Sequence, residues 1–309
     1  MTQQVAFGMQ LPVQSQSTLF VQAWEPEAGA AELVRVAQAC DAAGFLYVAV
    51  CDHVAIPRQQ AEAMSTSWWD TIATLSYLAG VTQQVRLLSH VYVLPYRHPL
   101  AVAKAWATLD ALSGGRAILG VGAGHVEAEF VALEVPFADR GRLLDEAIDA
   151  VRAALADEYP SHDGPRWSFD GLGQRPRPAQ DTLPIWVGGS SRAAMRRAAE
   201  RGDGWLPQGP PKDGMAAGIE FVLATRAASA RADDPLVLGA LSGPLYVGEP
   251  GWDTGRCVRG SAEKVAGYLR TYRDLGVHQI QVGFASRTAD ELCDQVAAFA
   301  TDVAPLVND

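Results

Sequence analysis

The chain has 309 residues, of which 49% are hydrophobic and 19% charged, so it can bury a large core. Its formal net charge of -10 argues against nucleic acid or an anionic membrane surface as a partner. The four cysteines are widely spaced and form no C-x-x-C pair, and no apolar run resembles a signal peptide or a membrane span, so we expect a cytoplasmic protein without a zinc knuckle or a disulfide framework.

Short apolar runs alternate with segments of helical periodicity, which is the pattern of repeated βα units around a parallel sheet. Eight strands are predicted, at residues 5–12, 46–51, 85–94, 117–121, 184–188, 204–206, 236–247 and 278–284. Because no low-complexity linker divides the chain, we predict an α/β fold with a single (β/α)8 TIM-barrel domain over residues 1–309.

Two of the helices have clear ends. The helix between strands three and four ends at Gly114-Gly115, and the one after Gly260 begins at a capping Ser261 and ends at Gly276. The first of them carries apolar residues at helical spacing: Val102, Ala105, Trp106, Leu109 and Leu112.

Residues 157–181 form an insertion between helix four and strand five. Four prolines and three glycines make this segment neither a helix nor a buried strand. We expect it to cross the barrel mouth, with a small hairpin at Trp167-Ser168-Phe169 before Asp170-Gly171. Trp167, and Trp24 in an earlier loop, are candidate walls of a substrate pocket.

In a TIM barrel, the residues that follow the C-terminal ends of the strands form the active site. Polar residues and glycines in or after strands two to five are the candidates: Asp52 and His53 after strand two; Ser89 and His90 in strand three; Gly122, Ala123, Gly124 and His125 after strand four; Gly188, Gly189 and Ser190 at the end of strand five. His53 and His125 are candidate proton carriers because histidine titrates near neutral pH, although a structural histidine explains each position equally well. The Gly-Gly-Ser turn suits a phosphate, but it is also an ordinary strand-to-helix connection.

Six blocks of sequence carry a family resemblance. They read FGMQLP at 7–12, CDHVAIP at 51–57, LPYRHP at 94–99, GGR at 114–116, GVGAG at 120–124 and LPIWVGG at 183–189. In order and spacing they resemble the luciferase-like monooxygenase superfamily. The resemblance implies an eight-stranded barrel that uses FMN or the deazaflavin coenzyme F420, commonly as a homodimer.

The Asp52-His53 pair resembles the F420 branch in particular, in which the matching histidine lies near the deazaflavin ring and the aspartate contacts it. The family often has a non-prolyl cis peptide behind the ring, which maps to Ser89–His90 or His90–Val91. By the same resemblance, backbone amides after strand five hold the cofactor phosphate. The implied cofactor site consists of Asp52, His53, Ser89, His90, Val91, Gly122, Ala123, Gly124, Gly188, Gly189 and Ser190, and no metal is expected.

The expected activity follows from two positions at which this chain differs from the sugar-phosphate dehydrogenases of the F420 branch. Sugar-phosphate dehydrogenases of this branch carry a tryptophan and a catalytic glutamate where this chain has Pro57 and His125. We therefore expect a reductase that passes hydride from reduced F420 to an activated C=C, C=N or C=O bond of a small-molecule substrate. Hydride transfer needs no protein nucleophile, and His53 or His125 can supply the accompanying proton.

Four other functions are compatible with parts of the sequence. An FMN-dependent monooxygenase is the nearest. A barrel glycosidase would use Glu127 or Glu129, but only Glu249 follows strand seven as a second acid. A metal hydrolase would draw its ligands from Asp52, His53, His90 and His125, although strand one lacks an H-x-H pair. A non-catalytic carrier of the cofactor is the last.

Overall fold

The computed structural model describes residues 4–18 and 20–309 and contains a closed barrel of eight parallel strands. The strands are β1 (Ala6–Gln10), β2 (Tyr47–Val50), β3 (Arg86–Ser89), β4 (Ala117–Gly122), β5 (Ile185–Gly188), β6 (Gly204–Leu206), β7 (Val237–Val247) and β8 (Gln279–Phe284). Neighbours in the chain pair in parallel all around the ring, and β8 closes it against β1. All eight predicted strands and the TIM-barrel class are confirmed.

One long helix follows each strand. These helices are α1 (Ala30–Ala42), α2 (Thr71–Ala79), α3 (Pro99–Ser113), α4 (Arg140–Ala156), α5 (Arg192–Arg201), α6 (Met215–Ala227), α7 (Ala262–Arg273) and α8 (Ala289–Ala298). Shorter helical segments include Ala61–Met64, Glu127–Ala132 and Ala304–Asn308. Within residues 4–18 and 20–309, no helix has the length and apolar character needed to cross a membrane.

The predicted end of α3 and the predicted start of α7 are confirmed, whereas α7 ends at Arg273, before the predicted Gly276. α3 ends at Gly114, whose φ of 67° is the left-handed conformation that glycine adopts readily. At α7, the Ser261 hydroxyl accepts a hydrogen bond from the Lys264 amide at 3.4 Å. The face of α3 that packs on the barrel passes through Val102, Trp106 and Leu109, whereas Leu112 is 68% exposed.

The lower half of the barrel interior is filled by side chains. Tyr47 projects inward from β2, and a Cβ at Gly8 would lie 2.2 Å from its ring. Its hydroxyl donates to the Gln279 side chain at 2.7 Å. Around this pair pack Ala49, Leu88, Ile118, Trp186 and Leu206. Ligands are therefore restricted to the upper end of the barrel, the mouth formed by the C-terminal ends of the strands.

The insertion at residues 157–181 lies in a different place from the one expected. It packs on the outside of α3 and α4: Phe169 is buried against Ala103, Ala150 and Ala154, and the Glu146 carboxylate accepts the Trp167 amide at 2.8 Å. A hairpin is present, but in it Ser168–Phe169 is the second strand: it pairs antiparallel with the preceding His162–Asp163 and not with residues after Asp170-Gly171. Residues 157–181 are therefore not a lid over the barrel mouth, and we call this segment the clasp. It packs here because the small alanines on α3 and α4 leave a groove that the Phe169 ring fills.

Candidate active site

The third strand is interrupted at the point where the resemblance implied a cis bond. After β3 ends at Ser89, the His90–Val91 peptide is cis, and the strand direction resumes at Tyr92–Val93. The Ser89 hydroxyl donates to the Gly120 carbonyl at 2.7 Å and accepts the Gly120 amide at 3.0 Å. Ser89 is therefore committed to joining β3 and β4, and its hydroxyl is not free to bind a ligand.

Val91 lies between two of the predicted site glycines. A Cβ at Gly122 would lie 2.4 Å from one Val91 methyl group, and a Cβ at Gly188 would lie 2.2 Å from the other. Only glycine allows the valine to sit this close to β4 and β5. Gly124 follows with a φ of +76° and carries the chain past half-buried Ala123 toward His125. The result is an apolar platform on the β3–β5 side of the mouth.

The turn after β5 is held by specific hydrogen bonds. Gly189 has a φ of +97°, and its carbonyl accepts the Trp205 indole N–H at 2.9 Å. The Ser190 hydroxyl donates to the Gly209 carbonyl at 2.6 Å, while Ser191 caps α5 by accepting the Ala194 amide at 3.2 Å. The turn thus delivers the chain to the positive N-terminal end of α5 in a fixed conformation.

Asp52 is fully engaged by protein groups. It is 5% exposed, and its two oxygens accept hydrogen bonds from the Arg97 guanidinium at 2.6 and 2.9 Å and from the Val93 amide at 2.8 Å. The guanidinium also stacks on the Tyr92 ring at 3.9 Å. The sequence left the role of Arg97 open. Its partner is a buried carboxylate that ties the end of β2 to the segment after β3.

Glu129 organises the predicted histidine. One carboxylate oxygen accepts the amides of Val54 and Ala55 at 2.6 and 3.0 Å. The other lies 2.7 Å from Nδ1 of His53 and 3.2 Å from the Tyr96 hydroxyl. Glu129 is 1% exposed. From the sequence, Glu129 was interpreted only as a possible glycosidase acid, and its pairing with His53 was not predicted.

The ionisation of Glu129 fixes the tautomer of His53. Burial acts to raise the pKa of Glu129, but the hydrogen bonds from His53 and from the two backbone amides outweigh it and hold the pKa below its usual range. An ionised carboxylate only accepts hydrogen bonds, so Nδ1 of His53 must carry a proton. Nε2 is then the nitrogen that can take up or release one.

His125 and Trp68 surround this ring. The two imidazole centroids are 5.4 Å apart, with planes at 89°, and Trp68 packs on His53 at 4.4 Å. His125 is exposed at the mouth. Partial desolvation lowers the pKa of His125, and the nearby His53 lowers it further, against an opposing effect of Glu129. The structure thus brings the two predicted histidines together, with His125 on the solvent side.

The main cavity lies on the opposite side of the mouth. It has a volume of about 820 Å³ and opens at the ends of β1, β7 and β8. Trp24 lines it, as expected, whereas Trp167 belongs to the clasp on α3 and α4. Ser15, another lining residue, forms a β-bridge with Trp68, and the Trp68 ring packs on His53, so Trp68 connects the edge of this cavity to His53. The mouth therefore has two halves, and the predicted residues lie in the β2–β5 half, at the ends of those four strands.

Comparison with known families assigns the chain. A family model described as luciferase-like monooxygenase matches residues 6–251, which is well over half of the chain. The chain belongs to the luciferase-like monooxygenase family. The resemblance noted in its sequence blocks is thereby confirmed, and the barrel glycosidase and metal hydrolase lose their basis.

Two relatives of this luciferase-like chain come from Mycobacterium tuberculosis. An uncharacterised protein is 34% identical over 58% of this chain and 66% of its own length. An F420-dependent hydroxymycolic acid dehydrogenase is 35% identical over 57% of this chain and 48% of its own. The matches thus span less than two thirds of these relatives.

Solved structures of two enzymes share the fold of this chain. A riboflavin lyase with modified FMN and riboflavin superposes with a TM-score of 0.82 at 15% identity, over 98% of this chain and 91% of that one. The coenzyme F420-dependent tetrahydromethanopterin reductase from Methanopyrus kandleri superposes with a TM-score of 0.75 at 18% identity, over 98% and 99%. Enzymes with either cofactor therefore have this barrel.

The proposed ligands of a metal hydrolase do not converge. Asp52 pairs with Arg97 and His53 with Glu129. In the part of the chain that the structure describes, no three His, Cys, Asp or Glu side chains are grouped as a metal site would require.

His90 gives this luciferase-like barrel a pH dependence. Its Nε2 lies 3.2 Å from the Leu206 carbonyl, and burial lowers the pKa of His90 to about 4, against the opposing effects of Leu206 and Gln281. The unfolded chain takes up this proton near pH 6.5 and the folded chain only near 4. We therefore expect the free energy of unfolding to fall as the pH drops from 6.5 to 4, by about 3 kcal/mol in total, and then to level off.

Urea unfolding curves at several pH values check this expectation. In His90→Gln the titrating group is gone, so the part of the slope due to His90 disappears. An unchanged slope between pH 6.5 and 4 in this variant would rule out His90 as its source.

Proposed function

We propose that this chain is an oxidoreductase that transfers a hydride from reduced coenzyme F420 to an activated C=C, C=N or C=O bond of a small organic substrate. The observation that carries the proposal is the His53–Glu129 pair, joined at 2.7 Å after β2 and β4, the two strands that flank β3, which ends shortly before Val91. Reduction of such a bond needs a proton as well as a hydride, and this pair is built to hold one.

The β2–β5 half of the mouth fits a planar redox ring with an anionic tail. Val91, held between Gly122 and Gly188, offers an apolar surface for a ring. The N-terminal end of α5, after Gly189 and Ser190, suits a phosphate. When bound, reduced F420 supplies the hydride. In this proposal Asp52, Ser89 and His90 shape the site through their own partners, and His53, Val91, Gly122, Ala123, Gly124, Gly188, Gly189 and Ser190 line it.

The chain's own part in the reaction is to hold and deliver a proton. Glu129 orients the His53 ring and keeps a proton on Nδ1, so Nε2 is the nitrogen through which His53 can exchange a proton when negative charge develops on the substrate. His125 lies at the exposed edge, with its ring 5.4 Å from that of His53. The lowered pKa of His125 favours its neutral form, which can accept a proton from solvent and pass it inward.

An FMN-dependent monooxygenase is the alternative. It is supported by the family to which the chain belongs and by the likeness to a barrel with modified FMN. The Asp52-His53 pair and the similarity to an F420-dependent dehydrogenase favour F420. The homodimer, the cytoplasmic location and the single domain over residues 1–309 stay predictions from the sequence.

A titration tests the proposal. Purified protein is titrated with F420 and, separately, with FMN, and binding is followed by the fluorescence of each cofactor. We expect saturable binding of F420 about tenfold or more tighter than that of FMN, a difference of about 1.4 kcal/mol. The reverse preference supports the monooxygenase, and failure to bind either cofactor contradicts both functions. An oxygen-free screen of unsaturated acceptors with reduced F420 then tests turnover.

A further inference from the structure

The cavity in the other half of the mouth is apolar and large. Its walls include Leu11, Trp24, Leu241, Trp252 and Phe284, and its volume of about 820 Å³ is that of a site for a drug-sized molecule. Burial of apolar ligand surface against these side chains is the main source of affinity that such walls can provide.

The charges around the cavity disfavour an anion. Arg287 contacts Glu291 with two of its nitrogens, at 3.0 and 3.2 Å. The other charged residues of the described lining, Glu25 and Asp253, are acidic. A carboxylate or phosphate that entered the cavity would lose its hydration without gaining a free cation there. A neutral ligand meets no such penalty.

Gly283 keeps the interior of this half open. Several other strand glycines are crowded: a Cβ at Gly8, Gly122 or Gly188 would lie within 2.4 Å of a neighbouring atom. At Gly283 no atom lies within 4 Å of the position that a Cβ would occupy, and the residue lines the cavity. Neither close packing nor a left-handed φ requires glycine here. The missing side chain therefore leaves room for a ligand.

Two glutamines form the polar floor. Gly8 faces Tyr47 inside the barrel, and because side chains alternate along a strand, Gln10 faces the same way. Gln281 on β8 lies 3.4 Å from the Tyr47 hydroxyl, and both glutamines line the cavity. Each amide offers a donor and an acceptor, which suits one carbonyl or hydroxyl group at the deep end of an otherwise apolar molecule.

We propose that this cavity binds a neutral, largely apolar substrate with one carbonyl-type group, that Gly283 sets the size of the substrate, and that Gln10 and Gln281 contact its polar group. The inference rests on the proposed function in one respect: the bound molecule is the hydride acceptor. Its binding, however, is measurable without any cofactor.

The probe for this test is prodan, a neutral naphthyl ketone whose fluorescence shifts to the blue in apolar surroundings. Anilinonaphthalenesulfonate, an anion of similar size, is the charged comparison. We expect one prodan per chain, bound about tenfold or more tighter than the sulfonate, since an unpaired buried charge is costly. Gln281→Leu should weaken prodan binding about fivefold, because one hydrogen bond is lost.

The decisive variant is Gly283→Leu, whose side chain fills the open volume. We expect prodan affinity to fall about tenfold or more, since the apolar contacts of the ligand are displaced. Gly80→Leu is the matched control, because it adds the same side chain at an exposed position where the nearest atom to the new Cβ is 3.6 Å away. Its affinity should equal that of the original protein. If Gly283→Leu does not fold, Gly283→Ala adds a single methyl group and should give a smaller loss.

Two results would overturn the inference: sulfonate binding as tight as that of prodan, or unchanged prodan affinity in a folded Gly283→Leu variant. If the protein binds prodan as expected but binds neither F420 nor FMN, the proposed apolar cavity stands and the proposed redox function fails. Failure of the cavity proposal can therefore be distinguished from failure of the proposed function.

Discussion

Arg97→Met is expected to lower the free energy of unfolding by about 3–5 kcal/mol, because it leaves the buried Asp52 carboxylate without its cation. Only the Val93 amide, at 2.8 Å, would remain as a partner. Methionine keeps much of the arginine's apolar stem, so the loss reports on the charge and its hydrogen bonds. Urea unfolding followed by circular dichroism measures it.

Arg142→Met is the matched control. Arg142 pairs with Asp139, but their side chains are 81% and 40% exposed, so this pair lies in water. Removal of a surface ion pair costs about 1 kcal/mol or less. Equal losses in the two variants would show that Asp52 gains nothing special from Arg97.

Glu129→Gln is expected to reduce turnover about 100-fold or more, the scale of a lost proton donor. Glutamine keeps the size of the side chain and one oxygen for the amides of Val54 and Ala55, but it loses the carboxylate oxygen that accepts the Nδ1 proton of His53 and fixes the orientation of the ring. We expect a folded protein with kcat reduced far more than KM, measured with the acceptor found in the anaerobic screen.

The control for this variant lies two residues away. Glu127 is in the same short helix and is exposed, so Glu127→Gln should leave kcat unchanged. A Glu129→Gln enzyme with normal kcat would exclude His53–Glu129 as the proton source and would leave His125 as the candidate.

The barrel could be predicted because its signals are local. Each strand is a short apolar run, and helix ends such as Gly114 and Ser261 satisfy backbone geometry within a few residues. The insertion was placed wrongly for the opposite reason. Trp167 and Phe169 are equally suited to a lid and to a helix surface, and the groove that decides between them is made by alanines on α3 and α4.

The site was predictable only in part. His53 and His125 follow strand ends, and that position alone brings them to the mouth. Glu129 was missed as the partner of His53 because the two lie 76 residues apart in sequence. Arg97 was missed as the partner of Asp52 for the same reason, since 45 residues separate them. A single sequence has no local pattern that encodes such pairings. Gly283 was missed as well, since nothing in the sequence distinguishes a glycine beside empty space from one that is packed.

The central claim is that a planar redox cofactor lies against Val91 with its phosphate at the N-terminal end of α5. A crystal structure of the protein grown with F420 tests it most directly. The account predicts density for the ring over the platform between Gly122 and Gly188, and for the phosphate beside Gly189 and Ser190. Density for the cofactor elsewhere, or a mouth without density at saturating F420 and at saturating FMN, would contradict it.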